Sequence, residues 1–143
     1  MNVILSPSIL NWMKRIRPYI IALACLVVGT LIYLVCRTNI LFVEWLHLDY
    51  IPITNIDIQN KFVYWLVYCL SDGLWYLALL IIQYNILLEN SIYSRICAYV
   101  AVVLPFVIEI LQSVHWISGT FDWLDIVTYL LTLILFLLCV KKS

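Results

Sequence analysis

Long apolar stretches closed by charged residues are the feature that most limits what this chain can fold into. The first covers residues 19–36, and a helix needs about 20 mostly apolar residues to cross the hydrocarbon core of a bilayer. Hydrophobic residues make up 66% of the 143 and charged residues 11%, against roughly half and a quarter in soluble domains. The sequence therefore predicts an all-α integral membrane protein, a single domain over residues 1–143.

Four transmembrane helices are predicted, at about 18–36, 72–89, 92–116 and 123–140. The first apolar stretch exceeds the about 7–15 residues of a signal-peptide core, so we interpret it as a retained helix. Pro18 suits a first helical position, where its missing N–H costs nothing. Pro105 is expected to kink the third helix, with neighbouring groups satisfying the freed carbonyl.

Residues 37–71 are predicted to form an outer loop with interfacial or re-entrant segments. The next stretch admits two interpretations: one helix over 62–84, or two pieces divided at Ser71-Asp72-Gly73. An aspartate at mid-bilayer costs on the order of 2.5–3.5 kcal/mol. The same residue at a helix N-terminus caps free N–H groups. We therefore expect the break, with the spanning helix starting near Asp72.

Basic residues indicate the orientation of the helices. With four crossings, one side of the membrane receives Lys14, Arg15, Arg17, Arg95, Lys141 and Lys142. Only Arg37 and Lys61 remain for the other side, so the positive-inside rule places both termini in the cytoplasm. Most acidic residues then lie toward the outer side: Glu44, Asp49, Asp57, Asp72, Glu109, Asp122 and Asp125.

The third helix carries a polar stripe formed by Glu109, Gln112 and His115. Residues three apart share a helix face, and an ionisable residue within a membrane helix indicates a functional site. Asp72 and Asp125, at the outer ends of the neighbouring helices, can approach Glu109. We expect these five residues to form a ligand-binding site.

Each of these residues also has a structural interpretation. Asp122 suits the N-cap of the fourth helix, and Asp72 is equally suited to a cap or a site. Gln112 can hydrogen-bond between helices, and His115 can be a surface group. A neutral Glu109 bonded to Gln112 is the structural alternative for the glutamate.

The five cysteines have no Cys-x-x-Cys or zinc-ligand spacing, and we expect them to behave as small apolar residues. A disulfide between Cys36 and Cys69 is conceivable, but no pattern supports it. We expect no cofactor, no resident metal and no nucleic-acid partner. The sequence has no nucleophile motif or phosphate-binding loop, so it indicates no enzyme class.

A family resemblance rests on Glu109-x-x-Gln112, Gly119 and the stretch Phe121-Asp122-Trp123-Leu124-Asp125. These residues, with the aspartate of Ser71-Asp72-Gly73, resemble the VanZ-like family of small bacterial membrane proteins over about residues 71–132. The family's loop arginine is replaced by Thr120, its helical asparagine by Tyr129 and the following glycine by Thr132. A role that depends on that arginine is therefore not carried over.

The resemblance implies a multi-pass protein of the bacterial cytoplasmic membrane with a role in the cell envelope. The family's founding member is linked to teicoplanin resistance, and no biochemical activity is generally agreed. Our leading hypothesis is an outer-leaflet acidic pocket that binds a lipid headgroup, a cell-wall precursor or a cation. The alternatives are an accessory or scaffold subunit of a larger membrane complex and a metal-assisted intramembrane enzyme. A transporter is the weakest alternative, because four helices would need oligomerisation to enclose a path.

Overall fold

The computed structural model describes residues 7–36, 61–87, 91–117 and 121–142. Within these ranges the chain forms four helices: α1 (Pro7–Cys36), α2 (Lys61–Leu87), α3 (Ile92–Ser113) and α4 (Trp123–Lys142). The all-α prediction is confirmed. The predicted loop with interfacial or re-entrant segments lies, up to residue 60, outside the described residues.

Three helices are long and apolar enough to cross a membrane, namely α1 over Lys14–Val35, α3 over Ile92–Ser113 and α4 over Trp123–Lys141. Their large side chains point outward, as at Leu23 and Leu135, which are 61% and 62% exposed. Small residues such as Ala22, Ala98 and Ala101 are buried instead. Small residues inside and large apolar residues outside are typical of helices that pack in lipid, where close backbone approach stabilises the bundle.

The central helix is α2, which packs against each of the other three. Among the described helices, α1 contacts only α2, whereas α3 and α4 also contact each other. Glycine permits two close approaches of α2, one to α1 and one to α4. A Cβ at Gly29 of α1 would lie 2.9 Å from the Trp75 ring, and one at Gly73 would lie 2.7 Å from Cγ2 of Thr128.

The predicted break at residues 71–73 is wrong, because α2 continues without interruption from Lys61 to Leu87. The Ser71 hydroxyl does not cap a helix start: it is fully buried and donates to the carbonyl of Tyr68 at 3.2 Å. Gly73 serves the contact with α4 rather than a turn. Packing against neighbouring helices has overridden the local turn signal. Residues 61–71, predicted as loop, are therefore the first turns of α2.

Two other predicted helix bounds also change. Helix α1 begins at Pro7, and Pro18 lies inside it. Pro7 takes the helix-start position predicted for Pro18, since either proline tolerates a missing N–H there. Helix α3 ends at Ser113 rather than near residue 116, for a reason that bears directly on the candidate site.

Helix α3 continues through Pro105, and the kink expected there stays a prediction. In the preceding turn, the carbonyl of Val102 accepts a hydrogen bond of 3.0 Å from the Tyr76 hydroxyl. The rings of Tyr76, Phe106 and Tyr129 meet edge to face, with centroids 5.4 Å to 6.2 Å apart. This aromatic triangle joins α2, α3 and α4 beside the candidate site.

Candidate functional site

The end of α3 determines which residues of the predicted polar stripe share a face. The N–H of His115 donates to the carbonyl of Gln112, and the N–H of Trp116 donates to that of Leu111, both at 3.0 Å. These two bonds form a Schellman motif, and His115 takes the left-handed position that glycine usually occupies, with φ of 60°.

The prediction that His115 continues the stripe of Glu109 and Gln112 is therefore wrong. Helix α3 ends at Ser113, and His115 is exposed just beyond it. Its ring Nδ1 lies 3.2 Å from the carbonyl oxygen of Gln112, a local contact within the helix end. Gln112 itself is half-buried on the last turn.

The start of α4 supplies two of the acids. Asp122 accepts a hydrogen bond of 2.9 Å from the N–H of Leu124 through Oδ1. Its carbonyl also accepts one of 3.2 Å from the N–H of Asp125. The predicted N-cap role of Asp122 is confirmed by this geometry. Asp125 follows in the first turn of α4, half-buried.

Glu109 is the most unusual polar side chain of the site, because it is only 5% exposed. The backbone N–H of Asp122 donates to its carboxyl group, and this bond ties the last turns of α3 to the start of α4. Its other oxygen, Oε2, has no hydrogen-bond partner among the described residues. Leaving a buried hydrogen-bond acceptor unpaired costs about 1–3 kcal/mol.

The neighbours of Glu109 make its position still less favourable. The carboxylates of Asp125, Asp72 and Asp122 all lie close enough to act electrostatically on Glu109. Nearby like charges repel one another. We call these four residues the acidic group, and its members come from α2, α3 and the start of α4.

The sequence did not indicate Cys69 as a neighbour of the acidic group. Its side chain is fully buried, it is a free thiol, and it donates a hydrogen bond to the carboxylate of Asp125. Cys69 precedes Asp72 by three residues, so both project from the same face of α2. That spacing was the available signal, but the expected break in α2 concealed it.

No lysine or arginine with a described side chain lies near the acidic group. At about 1.5 Å per residue, Arg95 is about 21 Å from Glu109 along α3. By the same measure, Lys141 is about 24 Å from Asp125 along α4. On α1, Arg17 is about 18 Å from Gly29, the residue that contacts α2. These basic residues therefore lie toward the opposite ends of their helices from the acidic group.

An open cleft of about 210 Å³ adjoins the acidic group, between α2, α3 and α4. Asp72 contributes its only carboxylate. The other lining residues are Trp75, Tyr76, Leu79, Leu104, Pro105, Ile108 and Tyr129. The site thus combines the acidic group at one end with an apolar cleft that extends along the helices.

Within the described ranges, no three His, Cys, Asp or Glu side chains are arranged to hold a metal ion. Of the five predicted site residues, the structure brings together Asp72, Glu109 and Asp125, and it places His115 outside on the helix end. No family model, curated protein or solved structure matches the chain. A functional proposal for this chain therefore depends on the geometry of the acidic group.

Proposed function

We propose that this chain is a VanZ-like membrane protein of the bacterial cell envelope whose acidic group binds a polar ligand. The observation that carries the proposal is Glu109, buried beside three other carboxylates with Oε2 unpaired among the described residues. A ligand that supplies hydrogen-bond donors or positive charge would stabilise such a carboxyl group most. A lipid headgroup, a cell-wall precursor or a cation each meets that requirement.

The proposed setting is the bacterial cytoplasmic membrane, crossed four times with both termini inside. The distribution of basic residues supports this orientation, since Arg95 and Lys141 lie at the opposite ends of α3 and α4 from the acids. Exposed Trp116 and Trp123 flank the acidic group, as expected of an interfacial aromatic belt. The ligand would then enter from the outer leaflet.

The direct test compares the ligand response of the wild-type chain with that of Glu109→Gln. Purified protein is unfolded by heat with and without phospholipids, a cell-wall precursor lipid and Mg²⁺ in turn. A ligand at roughly 100 times its Kd stabilises the folded state by about 2.7 kcal/mol. We expect one of these probes to raise the Tm of the wild type and to leave that of Glu109→Gln unchanged.

Ser94→Ala is the matched control for this test. Ser94 is a buried polar residue of the same helix, but it lies at the far end and donates to the carbonyl of Ser91. Its variant should keep the full ligand response even if its own Tm falls. Equal responses of the wild type and Glu109→Gln to every probe would contradict the proposal.

A second candidate function is that of an accessory or scaffold subunit in a larger membrane complex. The observation in its favour is the aromatic surface of α3, where Tyr93 and Tyr99 are 77% and 73% exposed. This alternative predicts co-purification with a larger partner and full function of Glu109→Gln. Cross-linking in native membranes, followed by a functional assay of the variant, separates it from the first proposal.

A further inference from the structure

We infer that the ligand of the acidic group is a membrane lipid with an ammonium headgroup, its hydrocarbon chain lying in the cleft between α2, α3 and α4. The inference rests on the proposed function and names the ligand class for the same site. Three observations lead to it: the direction of the cleft, the sign of the charge at one end and the apolar lining of the rest.

The cleft runs away from the acidic group along the helix axes. Leu79 lies about 10 Å beyond Asp72 along α2, at about 1.5 Å per residue. On the antiparallel α3, Leu104 lies about 7.5 Å from Glu109 in the same direction. Both residues line the cleft. A molecule bound there has its polar end at the carboxylates and its tail directed toward the membrane interior, as a lipid has.

The charge at the polar end selects the headgroup. Asp72 lines the cleft directly, and it acts electrostatically on the buried carboxylate of Glu109, whose Oε2 is unpaired among the described residues. An ammonium group supplies both a positive charge and three hydrogen-bond donors, and such charge-assisted bonds are the strong ones. A headgroup that carries only phosphate would instead be repelled.

The lining of the cleft distinguishes a lipid from a small soluble amine. Apart from Asp72, the cleft is lined by aliphatic and aromatic side chains and one proline. Its volume of about 210 Å³ exceeds the roughly 150 Å³ of an apolar cavity that binds benzene. A soluble amine would leave this surface unused, whereas part of an acyl chain fills it.

The test uses the full chain, purified in detergent and stripped of endogenous lipid. It is mixed with phosphatidylethanolamine or phosphatidylglycerol carrying identical acyl chains, and the complexes are counted by native mass spectrometry. We expect roughly tenfold more binding of the ethanolamine lipid, the effect of one charge-assisted hydrogen bond. Equal binding of the two lipids, or a preference for phosphatidylglycerol, would overturn the inference.

Two isoleucines of α3 provide a matched pair of variants. Ile108 lines the cleft, whereas Ile110 is 57% exposed and does not line it. Ile108→Trp fills the cleft and should reduce binding of phosphatidylethanolamine, while Ile110→Trp should bind as the wild type does. Asp72→Asn should reduce the preference between the two lipids. Identical lipid binding by the two tryptophan variants would contradict the assignment of the chain to the cleft.

Free ethanolamine separates failure of this inference from failure of the proposed function. If ethanolamine stabilises the wild type but not Glu109→Gln, while the two lipids bind equally, the acidic group binds a polar ligand and the lipid assignment is wrong. If neither ethanolamine nor either lipid distinguishes the wild type from Glu109→Gln, the inference fails. The proposed function fails with it only if the cell-wall precursor lipid and Mg²⁺ also give equal responses.

Discussion

At the scale of single residues, the molecule buries a glutamate where α2, α3 and α4 come together. Glu109 is buried, adjoins three carboxylates, and has one oxygen without a partner among the described residues. Polar groups left in this state are commonly tied to function, because packing alone would select against them. The sequence indicated Glu109 through its depth in an apolar helix, and that argument did not depend on the exact helix bounds.

Glu109→Gln should raise the stability of the ligand-free protein by about 1 kcal/mol. The amide oxygen can accept the N–H of Asp122, and the amide nitrogen can donate to a neighbouring carboxylate in place of repelling it. Thermal unfolding in detergent without added lipid measures the change. A lower Tm for Glu109→Gln than for the wild type would show that the carboxylate itself stabilises the fold.

His115→Gly should stabilise the end of α3 by about 1 kcal/mol, because glycine adopts positive φ without steric cost. His115→Ala keeps the steric penalty and should not stabilise the protein. The comparison of Tm values for the two variants isolates the backbone effect. Loss of ligand binding in His115→Gly would restore the ligand role predicted for His115 from the sequence.

At the scale of helices, some helix bounds depend on nearby residues alone, and others depend on packing against distant parts of the chain. The predicted starts of α3 and α4, at about residues 92 and 123, agree with the structure, in which Ser91 and Asp122 cap the two helices through contacts within the same few residues. The course of α2 could not be predicted in this way. Whether Ser71-Asp72-Gly73 breaks a helix depends on what packs against it, and that information lies in α1 and α4.

The approach of the acids to one another was predictable only in part. Short connections make α3 and α4 antiparallel neighbours, so Glu109 and Asp125 were expected to meet. The part played by Cys69 required knowledge that α2 is continuous. The cleft was also not predictable, because its lining comes from three helices whose relative rotation no single stretch of sequence specifies.

Gly73→Ala tests the close approach of α2 and α4. Its Cβ would lie 2.7 Å from Cγ2 of Thr128 and 3.3 Å from Oγ1 of Thr132, so one helix must shift. We expect a loss of about 1–3 kcal/mol, although alanine is the better helix former. Thermal unfolding measures the loss.

Thr128→Ser provides the rescue for this variant. It removes the methyl group that the added Cβ at position 73 would meet, and it keeps the hydroxyl that donates to Leu124 and accepts from Trp65. The double variant Gly73→Ala with Thr128→Ser should therefore recover most of the stability. Equal stability of Gly73→Ala and the wild type would mean that the two helices are not in close contact here.

At the scale of the whole molecule, the proposed topology relates the acidic group to the outer leaflet. Three helices are long and apolar enough to span a membrane, and α2 packs at the centre against all of them. If the chain crosses four times with both termini inside, the acidic group and the Asp72 end of the cleft lie toward the outer side. The ligand class that we infer requires this arrangement.

Reporter fusions test the topology. Alkaline phosphatase, which is active only outside the cytoplasm, should be active when fused after Ile117 and inactive when fused after Ser143. A fluorescent protein that matures only in the cytoplasm should give the opposite pattern at the same two positions. Phosphatase activity at Ser143 would reverse the orientation and place the acidic group at the inner leaflet.

The central claim is that the acidic group binds a ligand through Glu109, and a high-resolution structure from a lipidic phase tests it most directly. We expect non-protein density within hydrogen-bonding distance of Oε2 of Glu109, continuing into the cleft beside Asp72 and Ile108. A Glu109 whose two oxygens are both satisfied by protein groups, beside a cleft without such density, would contradict it. The acids would then serve the packing of α2, α3 and α4 alone.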